Sequence, residues 1–280
     1  MFKYFFWLLP TLLLIACSSE PDTDADPAAP VTMTRGPISI TVEPALGGRI
    51  SSLTYEGVEV LKTSRDEANL QWGSTVWTSP QSDWNWPPPP AFDSEPYTLT
   101  ELGEHRILLE GQRDPATFLR MRKRIVLGPD SDIGLTYWVT NEGVSSTNVA
   151  LWENTRLPYA GTFEFVADTV WTERDSIEFD LQDSVRIVTL DGRHTEEGKL
   201  FANLPAGTAT YKHKGLALTK HTVVKDLYRT PPKEAPLEIY VAPEAGFFEF
   251  ELVGDYRNIG PGESNNIRLK WSLRKTPDDD

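Results

Sequence analysis

Residues 247–271 read FFEFELVGDYRNIGPGESNNIRLKW. At the start of this stretch Phe248, Phe250 and Leu252 fall on one side of an extended chain and Glu249 and Glu251 on the other. A two-residue period of this kind marks a strand with one apolar face. Pro261-Gly262 then closes a turn, and 267–273 resume the strand pattern. Two acids are thereby directed away from the apolar side of a sheet.

The same pattern recurs outward from this stretch. Ile38, Ile40 and Val42 alternate with Ser39 and Thr41 before Pro44 and Gly47-Gly48 interrupt. Residues 49–55 and 58–61 form a hairpin around Glu56-Gly57, and 97–102 with 106–110 form another pair. In 119–127, Leu119, Met121, Ile125 and Leu127 share a side with Lys123, while Arg120, Arg122, Arg124 and Val126 share the other. Strands are also expected at 133–140, 148–154, 162–166, 185–190, 208–213, 216–224 and 237–241. Asp191-Gly192 and Lys214-Gly215 supply hairpin turns. No helical periodicity exceeds about two turns. Many short strands with regular turns predict an all-β fold of sandwich or barrel type, as one domain over 36–280.

One segment, 72–97, reads WGSTVWTSPQSDWNWPPPPAFDSEPY. Its prolines argue against an inner strand, because proline donates no ladder hydrogen bond. Its tryptophans argue against a solvated linker, so an ordered loop against the sheet is expected. Indole faces flanked by amide and carboxyl groups suit the apolar faces and hydroxyl edges of a sugar. Trp77, Gln81, Trp84 and Trp86 are the candidate contacts. The alternative is a loop that plugs one end of the fold with its indoles as anchors.

Residues 1–16 have one lysine, Lys3, and an apolar run, and Leu14-Ile15-Ala16-Cys17 fits a lipobox. The expectation is a signal peptide at 1–16, lipidation at Cys17, and a disordered acidic tether over 17–35. The protein is then held on a lipid bilayer in a bacterial envelope. Ser18, directly after the cysteine, favours the outer membrane by resemblance to bacterial sorting rules. Cys17 is the only cysteine, so no disulfide, cysteine nucleophile or cysteine metal site is expected. The net charge of −14 argues against a nucleic-acid partner. The histidines lack zinc-binding spacing, and no metal or cofactor is expected.

Several local patterns point to one family. Pro44-Ala45-Leu46-Gly47-Gly48-Arg49-Ile50 leading into LTYEGVEVL resembles the opening of galactose mutarotase-like (aldose 1-epimerase-like) domains. Asn141-Glu142-Gly143 followed by NVALWEN resembles their N-x-G turn and next strand, and the stretch at 247–271 resembles their last strands joined by a P-G-E turn. The tryptophan-proline block is similar to a narrower, mostly uncharacterised bacterial branch. The resemblance implies a β-supersandwich of two large antiparallel sheets whose concave face binds carbohydrate. It also implies catalysis by a histidine acid and a glutamate base, which open and reclose a sugar hemiacetal.

The chain departs from that pattern. Where active mutarotases carry histidine, it has Trp152-Glu153-Asn154, and its four histidines lie elsewhere. Glu153 is a candidate replacement acid or a structural carboxylate. Glu249 and Glu251 are candidate acid/base groups, or solvent-exposed acids of an edge strand. Trp152, Arg124 and His221 complete the candidate sugar contacts, with Arg124 suited to a uronate. Three readings follow: a mono- or oligosaccharide-binding lipoprotein without catalysis, a sugar epimerase using carboxylates, or a structural lipoprotein binding a protein partner.

Overall fold

A computed structural model describes residues 29–63, 71–173, 177–222 and 229–276. The expected signal peptide, Cys17 and most of the tether lie outside these residues. In chain order the strands are β1 (Val31–Arg35), β2 (Ile38–Glu43), β3 (Arg49–Tyr55), β4 (Val58–Glu59), β5 (Ser74–Ser79), β6 (Thr98–Gly103), β7 (Arg106–Arg113), β8 (Leu119–Leu127), β9 (Asp132–Asn141) and β10 (Thr147–Pro158). They continue as β11 (Thr162–Val166), β12 (Val170–Glu173), β13 (Asp180–Gln182), β14 (Val185–Thr189), β15 (Gly198–Ala202) and β16 (Thr208–His213). The last are β17 (Leu216–Thr222), β18 (Leu237–Ala242), β19 (Phe247–Val253), β20 (Arg257–Ile259) and β21 (Ser264–Lys275). A 3-10 turn at Gln81–Asp83 and a single helical turn, α1 (Pro90–Asp93), interrupt them.

The strands form two antiparallel sheets. One runs β1-β2-β3-β5-β10-β19-β18-β15-β12, with β4 beside β3 and β20 beside β10; the other runs β13-β14-β11-β16-β17-β21-β9-β8-β7-β6. Apolar side chains from both pack between them, among them Val76, Leu151, Phe250, Ile125, Tyr137, Leu218 and Trp271. This is the two-sheet sandwich expected from the alternation.

The tether ends earlier than residue 35. β1 pairs with β2 from Val31↔Val42 to Arg35↔Ile38 and buries Met33, so the sheet starts five residues before the expected boundary. The aromatic segment is not all loop either. Its first part, β5, lies between β3 and β10 inside the first sheet and is buried throughout. Every proline of the segment follows β5, so none removes a ladder donor from it.

β10 is the first sheet's central strand and fixes the direction of the side chains around it. Glu153 meets Lys220 of β17, across the core, at 2.8 Å. Glu153, Leu151, Thr155 and Leu157 therefore face the second sheet, and Trp152, Asn154 and Arg156 face away from it. Register carries this outer face sideways. Trp152 lies opposite Trp77 of β5, and Asn154 and Arg156 lie opposite Glu251 and Glu249 of β19. Glu251 and Glu249 lie in turn opposite Glu238 and Tyr240 of β18, which lie opposite Phe201 and Lys199 of β15.

Candidate functional site

The segment after β5 folds over this outer face and is tied down at several points. Asn85 takes a left-handed conformation (φ 58°), which its short polar side chain tolerates, and so presents Trp86. Pro90 occupies the first turn of α1, where a missing N–H costs nothing. Asp93 closes α1. Its Oδ1 accepts from Trp77 Nε1 at 2.8 Å and from the Arg49 guanidinium at 2.6 Å. Gly47, at φ 69°, lets the Asp93 carbonyl approach so closely that a Cβ there would lie 2.1 Å from it.

Three indoles gather around Trp77. Trp152, Trp84 and Trp86 stand edge-on to it, with ring centroids at 5.3, 6.0 and 6.0 Å. Trp84 is half-buried, donates its Nε1–H to the Thr78 carbonyl and lines neither lobe of the cleft described next. It anchors the segment. Trp86 is 54 % exposed, against 2 % for Trp77.

Between these indoles and the sheet lies a cavity of about 500 Å³, lined by Trp77, Trp86, Trp152, Gln81, Gln71, Tyr240, Lys199, Glu249, Glu197 and Gly198. A second lobe of about 360 Å³ shares Gln81, Trp86, Trp152 and Lys199 with it and adds Phe201, Glu234, Glu238, Ser82 and Asn85.

The floor is an ionic network. Lys199 Nζ contacts Glu238 at 2.6 Å and Glu251 at 3.2 Å, and lies 4.7 Å from the Trp152 ring centre. Burial disfavours its charge, but Glu251 and Glu238 outweigh that and hold its pKa above the usual lysine value. Glu251 Oε1 accepts from the Asn154 amide at 2.6 Å. Burial pushes the Glu251 carboxyl well up, with Lys199 opposing. Arg156, fully buried, donates Nε–H to Glu249 at 2.8 Å and places its guanidinium 4.8 Å from the Trp77 ring centre. Among the described residues, both terminal amino groups of Arg156, Asn154 Oδ1 and Trp152 Nε1 have no hydrogen-bond partner. Buried polar atoms are nearly always paired, so this is an unusual concentration of unpaired groups beneath the cleft.

Glu234 ties the indole-bearing segment to the second lobe. It accepts from the Gln81 backbone N–H at 2.7 Å and from the Ser79 hydroxyl. Burial, with Glu238 nearby, pushes its pKa up to about 7. The folded state therefore holds this proton more tightly than the unfolded chain does. Stability from this group is full below about pH 4.5 and is lost as pH rises to about 7. Glu234→Gln removes the dependence while keeping the shape. Urea denaturation at pH 5 and pH 8 should then show the variant gaining on the parent at the higher pH; an unchanged difference contradicts the shift.

The expected site residues divide between the two sheets. Trp77, Gln81, Trp86, Trp152 and Glu249 line the cleft, and Glu251 lies in its floor. Glu249 and Glu251 are not exposed acids of an edge strand, because β19 is flanked by β10 and β18. Glu153 faces the core, with both oxygens bonded to Lys220 and one also to Ser74 and Thr155, so it is no acid at the cleft. Arg124 lies on β8 in the other sheet, exposed against Trp138 at 5.4 Å, and cannot grip a uronate in the cleft. His221 is on β17 in that same sheet, with Nδ1 2.9 Å from the Thr208 hydroxyl, and is likewise excluded. Strand alternation fixes which face a residue takes within its sheet, but not which sheet it joins.

Lys199, Tyr240, Arg156, Glu238 and Glu234 were not picked out from the sequence. In Gly198-Lys199-Leu200-Phe201-Ala202 the last three residues are apolar in succession, so no alternation marks β15. No histidine lines either lobe. Among the described residues no group of three His, Cys, Asp or Glu comes together to hold a metal.

No family model and no curated protein matches the chain. Solved structures do match in fold. A galactose mutarotase-like protein from Lactobacillus casei superposes with a TM-score of 0.64 at 14 % identity, over 88 % of this chain and 100 % of that one. One from Clostridium acetobutylicum gives 0.64 at 11 % identity, over 88 % and 95 % of the two chains. An aldose epimerase homologue from C. elegans gives 0.64 at 8 %, over 89 % and 99 %. The chain has the galactose mutarotase-like β-sandwich fold.

Proposed function

We propose that this mutarotase-like sandwich binds carbohydrate in the cleft beneath Trp86, without catalysing a reaction on it. The observation that carries the reading is the 500 Å³ cavity, in which three indole faces meet the polar groups of Lys199, Glu249, Tyr240 and Gln81. Its size and mix of apolar walls with a few directed polar groups are those of a small-molecule site. Flat rings match the C–H faces of a pyranose, and the polar groups match its hydroxyls.

Two features argue for binding over turnover. Hemiacetal opening requires an acid and a base within reach of two different protons. Of the carboxylates at the cleft, Glu249 is held by Arg156, Glu251 is fully buried in the floor, and Glu238 is held by Lys199 and the Ala235 N–H. Both oxygens of Glu234, the one lifted to about 7, are taken by the Ser79 hydroxyl and the Gln81 N–H, while Glu153 faces the core. Lys199, held charged by its two acidic neighbours, is a poor proton donor near neutral pH. In the first lobe the charge balance further favours a neutral sugar over a uronate. Lys199 and Arg156 are each paired to glutamates, and Glu197 adds a further exposed acid at the rim.

The test is intrinsic tryptophan fluorescence titrated with neutral aldoses and uronates. A saturable shift with a neutral sugar is expected. Trp86→Ala, at an exposed position whose loss leaves the core intact, should raise Kd about tenfold, the equivalent of about 1.4 kcal/mol. A panel without any saturable change overturns the proposal.

A further inference from the structure

Sequence and fold leave the length of the ligand open, but the cleft does not end where one sugar ring would. The two lobes share Gln81, Trp86, Trp152 and Lys199, so they adjoin along these four side chains. Each volume falls in the range of about 300–1,000 Å³ typical of a small-ligand site. The second lobe has its own apolar wall in Phe201 and its own polar groups in Ser82, Asn85 and Glu238.

Beyond Phe201 the aromatic surface continues. Trp171 of β12 lies opposite Phe201 in register and stacks on it, with centroids 5.6 Å apart and ring planes 6° from parallel. It remains 39 % exposed. Between β10, which carries Trp152, and β12 the sheet passes through β19, β18 and β15. At about 4.8 Å per strand step, Trp152 and Trp171 stand about 19 Å apart, a distance no single sugar ring bridges. Trp171 lines neither lobe, but its half-open indole lies one strand beyond Phe201 on the same face of the sheet and offers a second flat contact surface outside the second lobe.

Resting on the carbohydrate reading above, we infer that the ligand is an oligosaccharide of at least three linked sugars. It crosses the strands from the first lobe through the second, and Trp171 receives the far end. Trp86 and Trp152 then serve the junction between neighbouring rings, because both border both lobes.

The experiment is isothermal calorimetry of the protein with glucose, galactose and mannose and with their linked di-, tri- and tetrasaccharides. Affinity is expected to rise at least tenfold between the monosaccharide and the trisaccharide of the preferred series. Trp171→Ala should abolish that gain and leave monosaccharide affinity unchanged, and Trp171→Phe should keep much of it. Circular dichroism confirms that the variants are folded. Equal affinity at every length overturns the inference while leaving the carbohydrate reading in place, and so does a gain that survives in Trp171→Ala. Absence of heat with every sugar at every length overturns both.

Discussion

Lys220→Ala is expected to lower stability by about 3–5 kcal/mol, the range for removing one member of a buried ion pair. Lys220 and Glu153 are both fully buried between the sheets. The ammonium contacts Glu153 Oε2 at 2.8 Å and Oε1 at 3.1 Å, and donates to the Phe250 carbonyl at 2.9 Å. Alanine leaves Glu153 with the Ser74 and Thr155 hydroxyls but without a counter-charge. Urea denaturation reads the loss directly. A change below about 1 kcal/mol would mean that water already reaches the pair and that the burial argument fails. The double replacement Lys220→Met with Glu153→Leu should recover most of the stability, because well-packed apolar groups replace buried ion pairs with little penalty. Sugar affinity should be unaffected in that double variant, since neither side chain reaches the cleft.

Gly47→Ala should be at least as damaging, by about 3 kcal/mol or more, and should weaken the cleft as well. The glycine adopts φ 69°, and a Cβ would come within 2.1 Å of the Asp93 carbonyl oxygen and 2.5 Å of its carbon. These are backbone atoms and cannot swing aside, so α1 must move, and strain of this kind is among the few causes of large single-site losses. Asp93 moves with α1, and Trp77 loses the acceptor that fixes its indole. Gly57→Ala is the control. Its φ is also positive, at 81°, but nothing lies within 4 Å of the added carbon, so it carries backbone strain without a clash. Thermal unfolding of the two variants separates these effects, and equal losses at both positions would remove close packing on α1 as the cause.

Much of the sheet architecture could be read from alternation alone. β3, β8, β11 and β16 begin and end at the expected residues, and the acids of β19 do face away from the core. Those strands have one face in apolar packing and one outside it, and this arrangement gives the pattern its period. β5 was hidden because both its faces are covered, one by the second sheet and the other by its own returning segment. Buried polar residues such as Ser74 and Thr75 then interrupt the alternation. β15, and Lys199 with it, was hidden because Leu200, Phe201 and Ala202 are consecutive apolar residues, all buried, and break the two-residue period. Lys123 illustrates the converse. It looked like an interruption of an apolar face, yet it is buried there, with its ammonium 2.6 Å from the Gly47 carbonyl and 4.8 Å from the Tyr97 ring centre. Burial lowers its pKa to about 7, with Arg49 adding to the effect. The cleft itself depends on pairing order across the sheet, which sets Trp152 beside Trp77 and Glu249 beside Arg156 from distant parts of the chain.

The strict alternation of β10 also limits how this protein can vary by descent. Its odd positions from Leu151 to Leu157 belong to the interior, and its even positions from Ala150 to Arg156 to the outer face. Deleting one residue inside that run would turn every later side chain over, sending a guanidinium into the hydrocarbon and leucine into the cleft. Inherited length changes are therefore confined to the turns. New specificity must arise by substitution at the even positions and at their neighbours on β5, β19, β18 and β15.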